Sequence, residues 1–161
     1  ESCATIENCL FVGNVANMGV DIVGLLTGGE YLPEHGSAAL TVFAGSRATV
    51  SRSTFTGNWS GVDDDGKGST YVETIFWNNT LTGGISAGSR YELDITDAAG
   101  VRGSFIHGAI NDLRGRINRE ANTFDPPDPR FDAQFSPQAP EYAGVGYRPV
   151  KFPSAERSKH P

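Results

Sequence analysis

The chain has 161 residues and a mass of 17.1 kDa, the size of one domain with room for its own core. Its hydrophobic share of 38% excludes a disordered chain, and no apolar run of about eighteen residues is present to cross a membrane as a helix. A net charge of −6 and a pI of about 5.0 leave no basic stripe for a nucleic-acid backbone.

The opening residues, ESCATIENC, read as strand rather than as a signal peptide. Cys3 and Cys9 bracket an extended stretch and would stand about 20 Å apart at roughly 3.3 Å per residue, beyond disulfide reach. Cys9 is expected to behave as a small buried hydrophobe. The absence of Cys-x-x-Cys spacing excludes a zinc ribbon or a covalent haem held by this chain.

The next feature in chain order is a repeat. Ala4-Thr5-Ile6-Glu7-Asn8-Cys9-Leu10-Phe11-Val12-Gly13-Asn14 aligns without a gap on Ala48-Thr49-Val50-Ser51-Arg52-Ser53-Thr54-Phe55-Thr56-Gly57-Asn58. Val72-Glu73-Thr74-Ile75-Phe76-Trp77-Asn78-Asn79 fits with one residue deleted, and Val101-Arg102-Gly103-Ser104-Phe105 is a weaker fourth copy. Phe55 and Phe76 are 21 positions apart; Phe11 and Phe55 are 44 apart, so the first gap is expected to hold two units. A unit of roughly 22 residues, with short Thr/Val/Ile/Phe runs cut by Gly and Asn, predicts a parallel β-solenoid. No leucine ladder and no 3.6-residue apolar spacing favours the leucine-rich or helical alternatives.

In such a fold each strand lies on its counterpart in the next rung. Ile6, Val50 and Val72 are expected in one inward column, and Phe11, Phe55 and Phe76, extended by Phe105, in a second. Asn14, Asn58 and Asn79 fall at the bend after each strand, where stacked amides would form a hydrogen-bonded ladder. Asn58-Trp59-Ser60 and Asn78-Asn79-Thr80 also read as glycosylation sequons, a weaker reading than the ladder.

These motifs, Ile6-Glu7-Asn8-Cys9-Leu10-Phe11-Val12-Gly13-Asn14 and Thr74-Ile75-Phe76-Trp77-Asn78-Asn79, resemble those of right-handed parallel β-helix proteins of the pectate-lyase-like group. Asp128-Pro129-Arg130-Phe131, Ser136-Pro137-Gln138-Ala139-Pro140 and Ala143-Gly144-Val145-Gly146-Tyr147 resemble the segments that finish such domains. The resemblance covers about residues 1–147 and implies an all-β, right-handed parallel β-helix from a secreted repeat protein. It says little about function, because this fold hosts lyases, hydrolases, adhesins and structural modules.

Along the chain, residues 27–36 read as a loop leaving the barrel, and residues 109–120 as a short helix or loop. The expected organisation is β-helix rungs over 1–123, the first truncated, and an extended Pro-rich tail over 124–161 that caps and docks. Eight of the nine prolines lie beyond Phe124, which bars this tail from a central strand. Because the chain starts within a rung, a protein partner or further β-helix turns are expected over the N-terminal edge.

Candidate chemistry is sparse. Asp63-Asp64-Asp65-Gly66-Lys67-Gly68 reads as a solvent-facing polar turn, with calcium on Asp63 and Asp65 as the alternative. Arg47, Arg52, Arg90 and Arg102, with Asp94, Asp97 and Asp112, are the groups a lyase or hydrolase would draw on, but they form no recognisable signature. His35, His107 and His160 are too scattered for a metal site. Arg114, Arg116 and Arg119 form a charged segment whose sharper reading is a docking patch for an acidic partner or sugar acid. Trp59 and Trp77 read as outward-pointing beside their bends, where exposed indoles suit sugar stacking or a protein interface, with partial burial under the tail as the alternative; strand alternation puts Trp77 outside.

The expectation is therefore a non-catalytic β-helix scaffold or binding module of an extracellular, periplasmic or cell-surface assembly, without a required cofactor. The alternatives are a C-terminal fragment of a polysaccharide lyase or hydrolase, and a carbohydrate-binding module.

Overall fold

The computed structural model describes residues 2–15, 38–80, 91–108, 110–112 and 117–150. The described residues form an all-β arrangement of three parallel sheets, compatible with a β-helix-like solenoid. The chain passes through the three sheets in a fixed order, and we call each pass a rung. Rung 1 contains β1 (Cys3–Glu7), β2 (Leu10–Val12) and β3 (Leu40–Val42). Rung 2 contains β4 (Arg47–Ser51), β5 (Thr54–Thr56) and β6 (Val62–Asp64), and rung 3 contains β7 (Thr70–Val72), β8 (Ile75–Trp77) and β9 (Leu93–Ile95). Rung 4 contains β10 (Val101–Arg102), β11 (Phe105–His107) and β12 (Ile110–Asp112), and β13 (Thr123–Phe124) adds to its second strand. Sheet A has the order β1-β4-β7-β10, sheet B β13-β11-β8-β5-β2, and sheet C β12-β9-β6-β3.

Short strands suit this design because a β-branched or aromatic residue at every second position fills the interior, while a corner residue ends the strand. At the corner between sheets A and B, Asn8, Arg52, Glu73 and Gly103 all take positive φ, from 45° to 60°. The following residue points inward and ties itself to the corner. Ser53 Oγ donates to Ser51 O, Thr74 Oγ1 to Val72 O and Ser104 Oγ to Arg102 O. Cys9 Sγ makes the same bond to Glu7 O, so this thiol is half-buried and stands in for a hydroxyl. Both cysteines are free thiols, as their spacing requires.

The register corrects the sequence reading at three points. Phe11 pairs directly with Phe55, with rings 4.3 Å apart and nearly coplanar, so the 44-residue gap is one rung enlarged by an insertion, not two units. Val50 pairs with Tyr71 rather than Val72, so the inward column is Ile6, Val50, Tyr71 and Val101, without a deletion. Phe76 pairs with Ile106, so Ile106 and then Phe124 continue the aromatic column, while Phe105 turns outward opposite Ile75. Strand β12 also stands where a helix or loop was expected. The expected loop at 27–36 lies outside the described residues.

Residues 125–148 lie along the outside of sheet B. Ile75, Ala139, Tyr142 and Val145 form a second buried cluster, against which Trp77, Phe105 and Phe131 pack. Tyr142 is fully buried and donates its hydroxyl to Pro127 O. From there the chain climbs one rung per residue. Gly146 N–H donates to Glu73 O, Tyr147 N–H to Thr54 Oγ1 and Arg148 N–H to Asn8 Oδ1, while Asn8 Nδ2 returns a bond to Arg148 O. Gly146 has φ +78°, and a Cβ there would collide with Ile75 Cδ1.

Candidate functional site

Three groups of polar side chains are built into the rungs. The first is the asparagine ladder. Asn14 N–H and Nδ2 both donate to Asn58 Oδ1, and Asn58 N–H and Nδ2 both donate to Asn79 Oδ1. Asn58 Nδ2 also reaches Phe11 O, and Asn79 Nδ2 reaches Phe55 O. Asn58 and Asn79 are fully buried, which commits both amides to the ladder and takes Asn58 away from the sequon reading. The ladder has a direction, because each rung donates to the next. Its last two donors, Asn79 N–H and Nδ2, meet the carboxylate of Glu92. Glu92 is itself buried, and burial pushes its carboxyl up to about 7 against the opposing pull of the Asn79 hydrogen bonds. Gly108 leaves the space this side chain needs, since a Cβ there would press on Glu92 Cγ and Oε1. Sequence reasoning missed Glu92; its only signal is an acidic residue just before an apolar strand.

The second group is the acidic run. Asp63 and Asp64 belong to strand β6 instead of a solvent-facing turn, because Val62-Asp63-Asp64 pairs on both sides, with Leu40-Thr41-Val42 and Leu93-Asp94-Ile95. Asp64 points into the interior between Val42 and Ile95. Its Oδ2 accepts the Tyr71 hydroxyl at 2.6 Å and its Oδ1 accepts Gly66 N–H at 2.7 Å. This bond links sheets A and C through the core; burial and the neighbouring Asp64 carboxylate push the Tyr71 phenol far above its usual range. Asp63 is 8% exposed, and Asp65 Oδ1 accepts the Thr96 hydroxyl. Among the described residues no three His, Cys, Asp or Glu side chains gather as a metal cluster.

The third is a pocket of about 600 Å³ at the corner between sheets C and A, lined by Ser2, Cys3, Arg47, Asp65, Lys67 and Thr96 among others. It brings Arg47 beside Asp65 and Lys67, a mixed-charge lining.

The remaining expected site residues are dispersed. Trp77 is outward and half-buried, stacked on His107 at 4.2 Å, and the His107 Nδ1 is buried without a hydrogen-bond partner. Trp59 is 6% exposed, contrary to the outward indole expected of it. It lies in the bend after β5, where strand alternation no longer sets direction, and its backbone N–H donates to Asn14 O. The Arg119 guanidinium stands 4.5 Å over the Phe124 ring, and Arg114 and Arg116 lie outside the described residues. No helix among the described residues is long and apolar enough to cross a membrane. Comparison with family models, with curated proteins and with solved structures found no match.

Proposed function

We propose that this chain is a right-handed parallel β-helix of the pectate-lyase-like kind, acting as a non-catalytic scaffold or binding module in an extracellular, periplasmic or cell-surface assembly. The observation that carries this reading is where the reactive side chains are spent. Asp64 is bound to Tyr71 and Gly66, Glu92 to Asn79, Asp97 to the N–H groups of Gly68 and Ala99, and Arg52 to Glu7. Each of these bonds joins neighbouring rungs or fixes a corner, which is the work of a stiff rod. Residues 125–148 support the same reading, since they lie over sheet B and reach rung 1.

The test is incubation with uronate polymers, with and without calcium, beside the native mass of the protein isolated from its source. A scaffold leaves the polymers intact and travels in an assembly. New unsaturated or reducing ends that scale with protein concentration would replace the scaffold with a lyase or hydrolase. Glycan binding lost in Trp77→Ala, without cleavage, would replace it with a carbohydrate-binding module.

A further inference from the structure

Rung 1 is built like rungs 2 and 3 but is not buried like them. Ala4 is exposed where its partner Ala48 is buried, and Ile6 and Phe11 are half-buried where Val50 and Phe55 are completely enclosed. Strands β1, β2 and β3 each pair on one side only among the described residues. The exposed large hydrophobics among the described residues gather here too. They are Val12 at 40%, Val15 at 52%, Phe43 at 58% and Val150 at 64%. Val12 lies in β2, Val15 follows it, Phe43 follows β3, and Val150 is two residues past the Arg148–Asn8 pair.

Exposed apolar edges alone do not name an occupant, but the ladder does. Each asparagine in it donates forward, and Asn58 and Asn79 each accept from the rung behind. At the far end the spare donors are closed by Glu92. At rung 1 the spare group is the Asn14 Oδ1 acceptor, for which the described residues supply no donor. Asn58 also shows what Asn14 would do against an added rung, because Asn58 Nδ2 reaches back to Phe11 O in the rung behind it. The complement of this surface is thus a parallel strand pair with an amide donor at its bend and an aromatic ring over Phe11. A second copy stacked head-to-tail does not fit, since Glu92 closes the ladder inside the fold and the last full rung has Ala109 in sequence where rung 3 has Asn79, so it offers no side-chain amide donor there.

We propose that rung 1 is an interaction surface for a further parallel β-turn, supplied by polypeptide outside these residues, which stacks an aromatic side chain on Phe11 and donates an amide to Asn14. This inference rests on the parallel β-helix proposed for the chain but not on the absence of catalysis.

The experiment joins a copy of residues 46–67, which carry Phe55 and Asn58, directly ahead of Cys3 in the full chain. Hydrogen exchange of the β1 and β2 amides should slow by about tenfold or more, and the Asn14 side-chain amide resonance should shift. Asn14→Ala in the fused chain should return part of that protection, and Phe55→Asp within the copy should abolish it. If the fused chain does not fold, the same copy is added to the natural chain as a synthetic peptide with the same readouts. Unchanged exchange in either format overturns the proposal. So does a natural chain whose β1 and β2 already exchange as slowly as β4 and β5, whether residues 16–37 cover the edge or a concentration-dependent dimer does. Polymer cleavage by an intact chain would remove the scaffold reading and leave this result standing, so the two failures are separable.

Discussion

At the scale of single residues, Glu92 is the group whose protonation the fold controls most directly. It holds two donors of a buried amide, yet it is itself enclosed, and the enclosure raises its carboxyl from 4.5 to about 7. An acid with a raised pKa in the folded state binds its proton more tightly there than in the unfolded chain. Its contribution to stability is therefore full below pH 4.5 and is lost as pH rises through 7. Between the ordinary value of 4.5 and about 7 this linkage is worth about 3 kcal/mol. The expected outcome is a melting temperature that falls from pH 5 to pH 8, and a Glu92→Gln variant in which the fall is clearly smaller. Calorimetry of both chains at matched ionic strength makes the comparison. An identical slope in the variant would place the titration elsewhere. The buried Asp64 side chain is tolerated because a phenol and a backbone N–H satisfy its oxygens.

At the scale of elements, the segment from Gly144 to Arg148 behaves as a strap across the corner between sheets A and B. Its bonds are to a backbone carbonyl in rung 3, a hydroxyl in rung 2 and a side-chain amide in rung 1. Only a residue without a Cβ can pass Ile75 at position 146, and the left-handed backbone there adds to the demand. Gly146→Ala should therefore lift the strap while the rungs stay folded. Limited proteolysis should cut the variant within 144–150 much faster than the natural chain, with far-ultraviolet circular dichroism unchanged. Equal cutting rates would mean the strap is held by the Tyr142 cluster alone. How much of this was readable in the sequence follows from what repeats in phase. Phe11, Phe55 and Phe76, and Asn14, Asn58 and Asn79, recur at identical places in their motifs, so the column and the ladder were legible before any coordinates. Tyr71 was not, because a tyrosine reads as an outward residue until its hydroxyl is seen to meet Asp64 from another sheet. Glu92 was not, because it does a ladder asparagine's work from outside the motif. The 44-residue gap misled because an insertion of one rung's length imitates a rung. Trp59 misled because side-chain direction in a bend does not follow from alternation.

At the scale of the whole molecule, the parallel strands make burial change along the axis more than across it. Phe55 is enclosed between two rings, 4.3 Å from Phe11 on one side and 5.2 Å from Phe76 on the other. Phe11 has such a neighbour on one side only among the described residues, and it is half-buried. A phenylalanine removed from a closed core costs about 3–5 kcal/mol, part from lost transfer energy and part from the cavity left behind. Phe55→Ala should lie in that range. Phe11→Ala should cost roughly half as much, since its ring sheds less water-excluded area and leaves a gap that solvent can fill. Denaturant midpoints of the two variants at a common slope measure the difference. The comparison tests the architecture itself, because both residues occupy the same motif position in repeats that align without a gap. Equal losses would mean that rung 1 is as enclosed as rung 2 in solution, and that its open face already has an occupant. A Phe11 loss of half the size would mean that the apolar column ends at a surface, with one ring face and the acceptor end of the amide ladder both presented to whatever stacks there.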